Sequence, residues 1–176
     1  MKPVQLKNIE LCKLKPFAHH PYKVRDDEEM EALTESIKEN GVITPLLVRP
    51  IDGSPGEYEV ISGHRRMHAA EKAGLKTVPA FVAEMDRAES IIKMVDSNLQ
   101  REHLLPSEKA FAYRLKLEAL KQQGQRTDLT SQQVVGKSES AEQVSETESG
   151  RQVQLYIRLT YLLPELLSRV DEEKSR

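Results

Sequence analysis

The sequence predicts an α+β protein in two parts. A small mixed-sheet domain occupies residues 1–103 and an all-α domain residues 104–176. Three observations predict this. Short apolar strands alternate with capped helical segments to about residue 85, in the order strand, helix, strand, hairpin strand, helix, strand. Beyond that point the apolar spacing is helical throughout. Apolar residues make up only 38% of the 176, with no Trp, which is lean enough for two small cores.

Residues 4–17 (VQLKNIELCKLKPF) alternate loosely between apolar and polar and read as a strand. In the following segment, Asp26 or Asp27 is placed to cap a helix on which Met30, Leu33 and Ile37 share a face, and Gly41 stops it. PLLVR at 45–49 and YEVIS at 58–62 are strands flanking the turn cluster DGSPG. Gly63 interrupts, HRRMHAAEKA is a helix closed by Gly74, and VPAFVA at 78–83 is another core strand. DRAESIIKMVDSNLQR predicts a helix. Pro106 opens the next one, with Ala110, Tyr113, Leu117 and Leu120 on one face before Gly124. Residues 125–139 are polar with a short helical piece, and 140–167 read as a short helix, a turn and a longer helix.

Composition narrows the function classes. The formal charge of −2 excludes a uniformly basic nucleic-acid binder, so any DNA contact must come from local patches. No apolar run approaches the roughly 18 residues of a membrane span. The N-terminal residues lack a signal-peptide core, which predicts a cytoplasmic protein. The single Cys12 excludes an intramolecular disulfide and a cysteine-cluster metal site.

Gly63 sits between a strand and a helix start, where unsatisfied N–H groups and the helix dipole attract phosphate. Arg65 and Arg66 add bidentate donors. Residues 63–76 carry Arg65, Arg66, Lys72 and Lys76 against Glu71, a net +3 in a chain of net −2. A glycine turn before an exposed basic helix face is the plainer reading of this segment alone, since it lacks the glycine spacing of a Walker or dinucleotide loop. His64 and His68 stand at i, i+4, but no nearby ligand completes a metal set, and solvated histidines are the expectation. His19 and His20 fall in a loop. Asn98, Gln100 and Arg101 can hold ribose, base or phosphate oxygens, and Asp96 can reach a nucleotide-borne Mg²⁺; a polar helix end before Pro106 is the plainer reading.

Taken together, ENGVITPLLVRP, YEVISGHRRMHAAEKAGLKTVPAFV and DSNLQREHLLPSEKAFAYRLK resemble the successive boxes of the ParB family of partition proteins, in order and spacing. QVQLYIRLTYLLPELLSRVDE resembles the segment that follows. The resemblance implies a ParB/sulfiredoxin-like N-terminal domain that binds CTP with Mg²⁺ as a clamp switch. It also implies a helix-turn-helix domain for a centromere-like DNA site, a homodimer, a ParA-type ATPase partner and a nucleoid location. Gly63, Arg65 and Arg66 match the family's phosphate box, and Asn98, Gln100 and Arg101 match its second box. Thr44 falls beside the base-binding wall. His64 and Ser97 stand where the family has Glu, and the Ser97 change argues for nucleotide binding over efficient hydrolysis. Cys12 lies far from the arginine box, which argues against sulfiredoxin-like redox chemistry.

If residues 141–146 form the first helix of a helix-turn-helix, then Arg151, Gln152 and Gln154 lead the second and Arg158 reaches a phosphate. Val153 and Ile157 then face the core. Leu155 replaces a common Arg of relatives. Residues 126–150 carry a net −3, which is poor for a DNA-facing surface. Two other functions compete. A ParB-fold nuclease would need Asp96, Glu102 or Glu108 as metal ligands, and a transcription regulator would bind DNA without nucleotide. Relatives usually continue into a dimerisation domain, so the chain reads as a fragment or a shortened form.

Overall fold

The computed structural model describes residues 4–18, 20–22, 24–99, 104–127, 144–145 and 148–174. The chain forms two compact units, Met1–Asp86 and Arg87–Arg176.

The first unit is built on β1 (Gln5–Glu10), β2 (Leu14–Pro16), β3 (Leu46–Pro50), β4 (Tyr58–Ser62) and β5 (Thr77–Val82), in the spatial order β1-β5-β3-β4-β2. The β1–β5 and β3–β4 pairs are antiparallel; β3–β5 and β2–β4 are parallel. The single strand expected over 4–17 is therefore two strands at opposite edges. A 3₁₀ turn at Leu11–Lys13 separates them, and its Leu11 N–H donates to the Lys76 carbonyl at 3.0 Å. The apolar spacing gives the reason: Ile9, Leu11 and Leu14 are all buried, and the three-residue step from Leu11 to Leu14 breaks the period of a strand. Four strand spacings of about 4.8 Å would hold the edges of a flat sheet about 19 Å apart. The stretch from Glu10 to Leu14 reaches at most about 14 Å. The sheet must curl, bringing its edges towards each other.

Two helices cover one face of this sheet, α1 (Glu28–Asn40) and α2 (His64–Lys72). Asp27 caps α1 by accepting from the Met30 N–H at 2.9 Å, and Gly41 ends it at φ 70°. Met30 and Ile37 of α1 and Met67, Ala69 and Ala70 of α2 form one core with Leu46, Val48, Val60, Val78 and Ala80 of the sheet. Each fully buried Met, Leu or Val in that core contributes about 1.5–3 kcal/mol.

The second unit contains α3 (Arg87–Leu99), α4 (Pro106–Thr127), α5 (Gly150–Leu159) and α6 (Pro164–Lys174). By compactness α3 groups with the helical unit, where it packs along α4. Ala110 and Tyr113 are buried and Leu117 and Leu120 half-buried, which is the stripe their spacing predicts. Tyr113, Val144 and Val153 form the core, flanked by Leu99, Leu117, Leu120, Tyr156 and Ile157. Asp171 of α6 accepts from the Ser107 N–H at 2.9 Å and from its hydroxyl at 2.6 Å, capping the start of α4. The long helix expected from residue 150 is broken into α5 and α6. Pro164 has no N–H to donate and disfavours helical backbone just before it, so it starts a new helix instead of continuing the old one. The short helix expected over 141–146 lies outside the described residues apart from Val144 and Ser145. Among the described residues no helix is long and apolar enough to cross a membrane.

Candidate functional site

The turn from β4 into α2 passes through Gly63 at φ 105°, ψ 24°. A side chain is disfavoured there for two reasons. The left-handed backbone disfavours one, and a Cβ would lie 3.1 Å from Leu46 Cγ and 3.2 Å from Arg66 Nη2. Arg66 bends back across the glycine, and its Nη1 donates to the carbonyls of Thr44 at 2.5 Å and Pro45 at 2.9 Å. One guanidinium thus ties the loop before β3 to the start of α2. Gly63, Arg66 and the Thr44 backbone meet at the positive end of a helix, where an anion is favoured.

Arg65 faces the acidic start of α1. Its Nη1 and Nη2 donate to Glu29 Oε2 at 3.1 and 3.0 Å, and Asp27 lies 3.7 Å away. One turn on, Asp26 meets Lys72 at 2.8 Å and His68 at 3.0 Å. Hydrogen bonds from Lys72 and then His68 hold the Asp26 carboxyl below its ordinary pKa. The basic excess of residues 63–76 is therefore answered largely within the unit. Sequence spacing does not predict these pairings. The signal available in the sequence is the acidic run Asp26, Asp27, Glu28, Glu29 and Glu31, opposite in sign to the basic stretch it faces.

His64 corrects the expectation of a solvated histidine: it is 7% exposed. Its Nε2 accepts from the Phe17 N–H at 3.3 Å, which puts the ring proton on Nδ1. The His20 ring lies against it, centroids 3.8 Å apart at 47°. Glu59 on β4 accepts from the Ala18 N–H at 3.2 Å and from Arg49 Nε at 2.8 Å, a buried ion pair across β3 and β4. His64 and Glu59 together anchor the chain after β2 beside the first turn of α2. His64 is committed to this packing by its position at the first residue of the helix. Among the described residues no three His, Cys, Asp or Glu side chains gather into a metal set.

Asn98 lies on α3, in the second unit. It is buried, and its amide donates to the Met94 carbonyl at 2.8 Å and to Ser97 Oγ at 3.3 Å. Asp96, the expected metal contact, accepts from Lys116 Nζ of α4 at 2.5 Å. Glu108 Oε2 accepts from the Leu105 N–H at 3.3 Å. Gln100, Arg101 and Glu102 lie outside the described residues.

The residues expected to read DNA lie on α5. Ser149 and Gln152 form a reciprocal capping box at its start. Val153 is buried, Ile157 is half-buried, and Arg151, Gln154, Leu155 and Arg158 are exposed. Their spacing of 3, 4 and 7 from Arg151 puts all four on one face.

A curled mixed sheet whose basic helix opens at a left-handed glycine, followed by a separate helical unit, defines a ParB-type N-terminal domain joined to a helical module. Residues 2–99 match the ParB N-terminal domain family. The chain belongs to the ParB family. It is 38% identical over 132 residues to the chromosome-partitioning protein ParB of Caulobacter vibrioides, covering 75% of this chain and 41% of that protein. It therefore spans about two fifths of that relative's length. C-terminally truncated ParB from Caulobacter crescentus complexed with CTP-γ-S is 29% identical, with a TM-score of 0.51, covering 97% of this chain and 86% of that one. The same truncated protein complexed to the centromeric parS site is 28% identical, with a TM-score of 0.57, covering 92% and 75%.

Proposed function

We propose that this chain is the nucleotide- and DNA-binding part of a partition protein, with CTP held at the start of α2 and a centromere-like DNA site engaged by α5. The observation that carries the reading is the Gly63–Arg66 cradle, where a left-handed glycine at which a side chain would be strained and a looped guanidinium flank a helix N-terminus. The CTP-γ-S complex of the Caulobacter crescentus relative supports the choice of nucleotide, and its parS complex supports DNA as the partner.

In this reading the first-turn N–H groups of α2, Arg65 and Arg66 hold phosphate oxygens. Arg66 also keeps Thr44 and Pro45 in place beside them. Bound CTP supplies the negative charge that this end of the helix accepts. Asn98, Gln100 and Arg101 enter the proposal through their match to the family's second box alone. Asp96 is paired with Lys116, so its carboxylate does not fit a free metal-ligand role, and Mg²⁺ enters only as the companion of the nucleotide phosphates. Nucleotide binding acts as a switch on a homodimeric DNA clamp that works with a ParA-type ATPase. Binding, not rapid hydrolysis, is the role assigned to this site.

Isothermal titration of the full chain with CTP and Mg²⁺ tests the reading. Saturable heat is expected, falling at least tenfold in affinity in R66A, as loss of a charge-assisted donor predicts. Absence of heat with every nucleoside triphosphate overturns it.

A further inference from the structure

We propose that Leu155 reads the methyl group of a thymine, so that α5 selects thymine at one position of its DNA site. This deepens the DNA-binding reading above and rests on it.

The helix has two unlike sides. Val153 is sealed in the core with Tyr113 and Val144, and Tyr156 and Ile157 pack beside it. The other side presents Arg151, Gln154, Leu155 and Arg158. Gln152 is exposed as well, but its Oε1 accepts from the Ser149 N–H and hydroxyl, both at 3.2 Å, which commits it to the cap. Within α5 the exposed side chains are therefore two guanidinium groups, one amide and one isobutyl group; Leu159 is half-buried, and the exposed Tyr161, Leu162 and Leu163 follow the helix in the turn beyond it. Leu155 is 53% exposed, with Arg151 one turn before it and Arg158 one turn after.

An apolar side chain framed by two arginines is poorly matched to an apolar protein partner, because the charges would be desolvated with it. It is well matched to a major groove, whose phosphates answer the arginines. Guanidinium and amide groups there find partners on guanine and adenine edges. The one apolar feature the groove offers a leucine is the thymine C5-methyl. Cytosine at that position lacks the methyl, and the purines present N7 with O6 or N6–H₂ there, so the isobutyl group meets polar atoms with no apolar contact in return.

The test uses the full 176-residue chain with CTP and Mg²⁺ to select duplexes from a randomised pool. Each thymine of the selected site is then replaced by uracil, which removes only the methyl. One thymine is expected whose replacement weakens wild-type binding about three- to fourfold, the value of one buried methyl. The same replacement is expected to leave L155A unaffected, and L155R to prefer guanine at that position. Unchanged melting temperatures for both variants show that the exposed substitution left the fold intact. A selected site in which no thymine responds to uracil, or in which L155A responds as the wild type does, overturns the assignment of Leu155, as it would if a protein partner covered that residue. Failure to select any sequence overturns the DNA-binding reading itself.

Discussion

Arg65 and Arg66 are adjacent in sequence and differ in what they hold. Arg66 donates through Nη1 to two backbone carbonyls, an arrangement that fixes a loop and sets the guanidinium charge beside Gly63. Arg65 is spent on Glu29, a side chain 78% exposed that a stronger anion can displace. In the proposed reading Glu29 competes with the nucleotide phosphates for Arg65. E29Q is expected to tighten CTP binding by up to about fivefold, the worth of an exposed ion pair, as measured by titration calorimetry; weaker binding would mean that Glu29 orients the arginine for its ligand. Asp26 gives a pH dependence. Its carboxyl is depressed in the folded protein by Lys72 and His68, so its stabilising contribution is whole above the unfolded value of about 3.9 and is lost as pH falls through the lower folded value. Thermal melts of wild type and D26N should differ at neutral pH and converge in acid. The glycine turn, the two arginines and the cap at the start of α1 were legible in the sequence because each follows from local backbone chemistry. Their partners were not. Glu29 and Arg65 are 36 residues apart, and only the packing of α1 on α2 decides which acid meets which base.

At the scale of elements, the helices were the more legible because caps and breakers mark them. Asp27 and Gly41 bound α1, Gly63 opens α2, and Pro106 opens α4. The break at Pro164 is masked by the apolar spacing, which runs on through Leu159, Leu162, Leu163 and Leu166. Periodicity alone cannot tell a continuous helix from two helices joined by a short turn. The start of α5 depends on the Ser149–Gln152 box. S149A is expected to cost the second unit about 1 kcal/mol in urea denaturation and to fray the turn that carries Arg151. In the proposed reading DNA affinity falls with it, while CTP affinity does not change.

Viewed whole, the chain is two units whose fold class is legible in its sequence, since strands alternating with capped helices give way near residue 86 to helical spacing alone. The order of the strands was hidden. Two strands next to each other in sequence stand at opposite edges of the sheet, and nothing local to residues 4–17 encodes that separation. The connection has a further consequence. An unpaired strand edge is a template on which a second molecule can add a strand, and proteins guard against this by hiding or bending their edges. Here a three-residue tether does the bending for both edges at once. Inserting four glycines after Cys12 would slacken the tether and let the outer strands swing apart. Such a variant is expected to scatter light at concentrations where the parent stays clear, because its solubility depends on how short that link is.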